Sequence, residues 1–319
     1  MRPRSVADDL GILLVAVIWG SSYVVMQDVG RSLPAAPFLM LRFLCSLPPM
    51  ATLAAQSLRR LTRNEILTGA FFGCLLYGVL IQEMIGVRYT SAANAGFLMT
   101  VSVLLIPPLE RVISRRRQMA VVYVMMVTAL VGCGMLLLSN GLRPNVGDFI
   151  ILGAAAVRAT QLTLFGRRPS GQDQSLINLS LVEFLVVTVL AGITALASNA
   201  PPWHAAASVS PRNWLLIAYL GVLGTAFAWF AQLRGARAAS STRVGLILST
   251  EPLFATAFAV LAAGNRLDVL QILGGLLIVV SAAVGRVFEG RWAAPAPRVA
   301  RVAALMAPAR ADSAQPRPG

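Results

Sequence analysis

Ten predominantly apolar runs, each close to 20 residues, recur along the chain, and a helix of about that length crosses roughly 30 Å of hydrocarbon. No other feature constrains the fold as tightly, because within a bilayer only helices and closed barrels satisfy every backbone amide. The first five runs are Leu10 to Met26, Pro34 to Ala55, Ile66 to Gly86, Ala92 to Ile113 and Met119 to Ser139. The second five are Gly147 to Phe165, Ser175 to Ala197, Trp214 to Leu233, Val244 to Ala263 and Val269 to Phe288. With 57% hydrophobic and 13% charged residues and a mean hydropathy of +0.72, the chain lies far from soluble domains. The expected fold class is an all-α integral membrane protein of ten transmembrane helices. Asp8 and Asp9 precede the first run and no small-x-small site ends it, so it reads as a retained span rather than a signal peptide.

The net charge of +14 comes from 27 basic residues, every one an arginine, and their placement matters more than their sum. With a cytoplasmic N-terminus, twenty fall in segments on that side. The opposite loops hold one each, namely Arg31, Arg88, Arg143, Arg212 and Arg266, while Arg42 and Arg158 lie inside runs. This bias predicts that both termini are cytoplasmic. The charge thus reports topology and anionic-lipid contact, and nucleic acid is not an expected partner. Cys45, Cys74 and Cys133 are scattered through apolar runs and read as buried free thiols; His204, in APPWHAAAS, reads as a solvated loop residue. No metal or cofactor is expected.

Short loops leave no room for a soluble catalytic domain. The organisation is instead duplicated. With an offset of 149, TSAANAGFLMTVSVLL lies over ASSTRVGLILSTEPLF; with an offset of 139, VADDLGILLVAVIWG lies over NVGDFIILGAAAVRA, which pairs Trp19 with Arg158. Each half holds five runs, an odd number, so the second half enters the membrane in the opposite orientation. The expected domains are a five-helix repeat over 8–139, a second over 147–288, and a disordered basic cytoplasmic tail over 289–319. Inverted repeats of this kind are the usual architecture of secondary transporters, with the substrate site near the midplane between the halves.

The motifs IWGSSYVVMQ, LRFL, YTSAANAGFL, LGTAFAWFAQLRGARAASSTRVGLILSTEPLFATAFAVL and GNRLDVLQILGGLLIVVSA resemble, in order and spacing, the EamA-type transporters of the drug/metabolite transporter superfamily. The resemblance covers residues 8 to 288. It implies a multi-pass exporter or permease of a bacterial inner membrane that moves small metabolites or drug-like compounds without ATP. Two positions depart from the family: Gly264, Asn265 and Arg266 stand where a Gly-Glu-Arg turn is usual, and Arg158 stands where tryptophan is frequent.

Charged side chains inside the runs point to the site, because each costs about 2.5 to 3.5 kcal/mol at the bilayer centre unless paired, hydrated or neutralised. Arg42, Arg158, Glu183 and Glu251 lie deep. Arg42 and Glu183 occupy corresponding positions of the two halves, in LMLRF and SLVEF, and are candidates for a structural ion pair. Glu251 and Glu183 are the candidate proton carriers. Glu83 and Glu110, close to run ends and to Arg88 and Arg111, read as interfacial anchors. Pro252 lacks an amide proton and predicts a helix kink beside Glu251. Trp19, Tyr23, Tyr77, Thr100, Gln161, Trp229 and Gln232, together with Arg158 and Glu251, are candidates to line a cavity and meet substrate. Asn94 reads as either a lining residue or a cap, and Gly69 with Gly73 as a close-packing pair.

The function expected is secondary transport by alternating access, coupled to protons, with lipid and a small molecule as partners and a monomer or weak homodimer as the state. A passive channel and a membrane-embedded enzyme remain the alternatives. Dispersed carboxylates, one histidine and no lysine argue against an enzyme, and a chain without lysine cannot hold a P-loop.

Overall fold

The computed structural model describes residues 6–114, 120–138, 145–166, 175–232, 247–248, 250–262 and 267–292. Every regular element among them is helical. The order is α1 (Val6–Gly30), α2 (Ala35–Leu58), α3 (Arg63–Gly86), α4 (Ala92–Ser114), α5 (Ala120–Leu138), α6 (Val146–Gly166) and α7 (Leu176–Ala197). A short α8 (Pro202–Ser208) leads to α9 (Pro211–Gly221), which continues through a π-helical segment (Val222–Phe227), and then come α10 (Glu251–Leu261) and α11 (Val269–Trp292). Among the described residues, seven helices are long and apolar enough to cross a membrane. These are α1 to α4, α6, α7 and the continuous stretch Pro211–Gln232; α5, α10 and α11 contribute shorter apolar segments. Of the run Val244 to Ala263, residues 247–248 and 250–262 are described, and the tail beyond Trp292 lies outside the described residues.

Polar residues set the helix ends. Thr62 and Glu65 form a reciprocal capping box at α3, Ser175 caps α7, and Ser210 with Pro211 behind it starts α9. Glu65 does more than cap. Its Oε1 also accepts the backbone N–H of Ser175 at 2.7 Å, tying the start of α3 to the start of α7.

Nearly all the extensive helix contacts cross between the two halves of the chain. α2 packs on α7, α5 on α11 and α4 on α10. The α3–α7 contact has its counterpart in α2–α9, and α4–α6 in α1–α10, whereas the extensive α3–α6 contact has only a slight counterpart in α1–α9. Neither half packs as a separate body, because each helix finds its main apolar partner in the other half. At the α3–α7 crossing a Cβ on Gly69 would stand 2.7 Å from Val182 Cβ, and one on Gly73 2.8 Å from Val186 Cβ. Both glycines let the backbones approach. On the outside, large side chains such as Val127, Leu185 and Leu273 are exposed, as expected of surfaces that face hydrocarbon.

Three local expectations change. Pro252 stands in the first turn of α10, which begins at Glu251 after Thr250 at the N-cap position, where no amide donor is needed. His204 is exposed as expected but sits on the helix α8 rather than in a loop. Cys74 is exposed and Cys45 half-buried, since an apolar run does not distinguish a lipid-facing position from a core one.

Candidate functional site

One face of each of α1, α2, α3, α4, α6, α7 and the π-helical stretch after α9, with Leu248 ahead of α10 and Glu251 at its start, encloses a cavity of about 480 Å³. That is the size of a site for a drug-sized molecule. Of the residues expected at such a site, Trp19, Tyr23, Thr100, Arg158, Gln161, Trp229, Gln232 and Glu251 line it, and Arg42 and Glu183 reach it from α2 and α7. Tyr77 does not. Its hydroxyl shares a 2.5 Å hydrogen bond with Thr194 in the α3–α7 contact. Asn94 also lies elsewhere, accepting from Gln271 Nε2 at 3.0 Å.

The repeat relation is carried into the cavity. Trp19 with Arg158, Arg42 with Glu183, and Ser102 with Glu251 occupy corresponding positions of the halves, and all six line it. Chemically different partners therefore face one space from symmetry-related places.

The π-helical segment organises one wall. Widening the turn moves Thr225 so that its Oγ1 donates to the carbonyl of Leu220, five residues back, at 2.9 Å, and accepts from Arg42 Nε at 3.1 Å. Trp19 Nε1 donates to the carbonyl of Gly224 at 2.8 Å. α1 and α2 thus both hold the widened turn. Arg42 Nε therefore has its hydrogen bond in Thr225 Oγ1, a partner not visible before the π-helical turn is known. Trp229 Nε1 donates to Ser180 Oγ, closing the wall toward α7.

Opposite this wall, Tyr23 donates its hydroxyl to Glu251 Oε1 at 3.1 Å. Arg158 Nη1 donates to Gln161 Oε1 at 3.1 Å, and Gln161 Nε2 to the carbonyl of Phe72 at 3.3 Å. Glu83 corrects an expectation. It is a cavity residue, within electrostatic reach of Arg42, Arg158 and Glu251, and not an interfacial anchor. Proximity to the end of a run misplaced it, because Met84 and Val87 just beyond it are fully buried under the α3–α4 connection. Its register carried the signal: Leu76, Val79, Leu80 and Glu83 continue one helical stripe into the cavity.

The cavity is sealed at one end. There Arg212 pairs with Asp28 at 2.7 Å, Asn213 Nδ2 donates to Ser32 Oγ at 2.8 Å, and Arg88 Nε donates to the carbonyl of Gly30 at 3.0 Å. Gln27 bonds the carbonyl of Thr90, Thr90 the carboxylate of Asp148, and Gln271 the amide oxygen of Asn94. Beneath this network lies a packed layer that includes Val29, Leu33, Met84, Val87, Leu98 and Ile151. Toward the other end the lining extends to Phe165 near the end of α6 and Leu176 at the start of α7, with Gln232 and Leu248.

Comparison with known proteins agrees with this architecture. The family model described as the EamA-like transporter family matches residues 8–139 and again 145–285. A Clostridium kluyveri protein named an uncharacterized transporter is 20% identical over 289 residues, covering 86% of this chain and 91% of that relative. An Archaeoglobus fulgidus protein of the same description is 22% identical over 277 residues, covering 86% and 83%. One solved crystal structure superposes with a TM-score of 0.55 at 18% identity, over 91% of this chain and all of the other, a likeness of fold.

Proposed function

The chain belongs to the EamA-like transporter family and is a multi-pass cell-membrane protein, and from that premise we propose that it is a secondary transporter working by alternating access. Its ten helices form two inverted five-helix repeats with both termini cytoplasmic, and a small organic molecule binds in the cavity between them. The observation that carries this reading is a charged, ligand-sized cavity, sealed at one end by hydrogen bonds and an apolar layer, among helices whose main contacts cross between the halves. The arginine bias makes the sealed end external, so this conformation faces the cytoplasm.

Proton exchange supplies the driving force, with Glu251 as the proton carrier and Glu183 as the second candidate. The placement of Glu251 supports this: it is only partly exposed, it meets the hydroxyl of Tyr23, and it stands at the start of a helix on the cavity surface. Reconstitution into liposomes tests the reading. Saturable flux of small organic compounds, accelerated by an imposed pH gradient, is expected. Flux that never saturates would identify a passive channel, and concentrative movement indifferent to the pH gradient would remove proton coupling.

A further inference from the structure

The charges of the cavity divide into two groups. Arg42 and Glu183 belong to the wall, 6% and 2% exposed, the guanidinium held by Thr225. Glu83, Glu251 and Arg158 are partly exposed and line the space itself, from α3, α10 and α6. Arg158 acts electrostatically on both carboxylates, and the two carboxylates act on each other. Arg42 also acts on Glu83, so among the described lining residues three carboxylates, those of Glu83, Glu183 and Glu251, share two guanidinia, those of Arg42 and Arg158. In a space walled by apolar side chains such an excess is poorly screened and attracts a cation. The rest of the lining suits an apolar body, with Trp19, Phe43, Phe165, Phe184 and Trp229 offering aromatic faces. Such faces attract a cation as well.

We propose that the cavity selects amphiphilic organic cations: the positive group sits between Glu83 and Glu251, beside the Tyr23 hydroxyl, and the apolar body lies against Trp19 and Trp229. Arg158 is the internal counter-ion of this pair and competes with the ligand for it. A free anion meets two carboxylates. A zwitterion satisfies Arg158 and one carboxylate but leaves the excess charge in place. The assignment names the substrate class of the transporter proposed above and rests on that reading for movement across the membrane, though not for binding.

The test is equilibrium binding of tritiated tetraphenylphosphonium to the purified full-length chain in detergent, with tetraphenylborate, of the same shape and opposite charge, and phenylalanine as competitors. Saturable binding is expected, with both competitors weaker by about tenfold or more, a difference of roughly 1.4 kcal/mol. Glu83→Gln and Glu251→Gln should each weaken binding by about tenfold, whereas Arg158→Gln should tighten it several-fold, an outcome that loss of folding cannot imitate. Displacement by tetraphenylborate or phenylalanine as effective as by the phosphonium overturns the proposal without any variant. So does unchanged affinity in Glu83→Gln, or weakened affinity in Arg158→Gln. Saturable phosphonium binding without flux in liposomes would remove the transporter reading and keep this site; flux of other compounds without phosphonium binding would do the reverse.

Discussion

Individual side chains in the cavity are held by partners that differ from the nearest charges of opposite sign. Arg42 is nearly buried and its Nε depends on Thr225 Oγ1. Thr225→Val removes that acceptor while keeping the shape, so the expected cost is about 1–3 kcal/mol, measurable as a lowered unfolding temperature in detergent. Unchanged stability would show that the hydrogen bond is dispensable. Glu251→Gln is expected to abolish gradient-driven flux with membrane abundance retained, and normal flux in that variant would remove Glu251 as proton carrier. At this scale, residue type and depth were enough to single out Arg158, Glu183 and Glu251. Glu83 escaped because depth counted along the chain equals depth in the membrane only when nothing packs over the helix end.

Among the elements, the departures from regular helix carry the chemistry. The π-helical turn at Val222–Phe227 is held by Trp19 and Arg42, and just before it Gly221 lies so close to α2 that an added Cβ would stand 2.4 Å from the carbonyl oxygen of Arg42. Backbone cannot yield there as a flexible side chain does. Gly221→Ala should therefore cost about 1–3 kcal/mol and lower transport along with stability, checked by thermal unfolding beside flux. Full activity and stability in that variant would mean that α2 and α9 separate more easily than their contact suggests. Pro252 was recognisable as a helix disruptor from its missing amide, and it stands in the first turn of α10.

In the whole molecule, the two ends of the cavity differ. The network from Asp28 and Arg212 to Asn94 and Gln271 closes one end, while Phe165, Leu176, Gln232 and Leu248 line the way toward the other. With Cys45, Cys74 and Cys133 replaced by alanine, Leu176→Cys is expected to react with a membrane-impermeant thiol reagent faster in inside-out than in right-side-out vesicles. The opposite order would mean that the cavity faces outward or that the topology is reversed. A reporter that is active only in the cytoplasm should work when fused after Gly319, and inactivity there would separate these two explanations.

The sequence by itself determined the class of the fold, the duplication and the charge bias, because apolar length, internal similarity and arginine placement are properties of local segments and sums. It also marked most of the polar residues that line the cavity, since a polar side chain within an apolar run must find a partner, water or a neutralising proton. Tertiary structure alone decided which polar groups meet. That depends on which helix of one half lies against which of the other, on the rotation of each about its axis, and on the extra width of one π-helical turn. These facts sent Tyr77 into a helix contact, brought Glu83 to the cavity and gave Arg42 to Thr225, because side-chain pairing is fixed by distances between segments far apart in the chain.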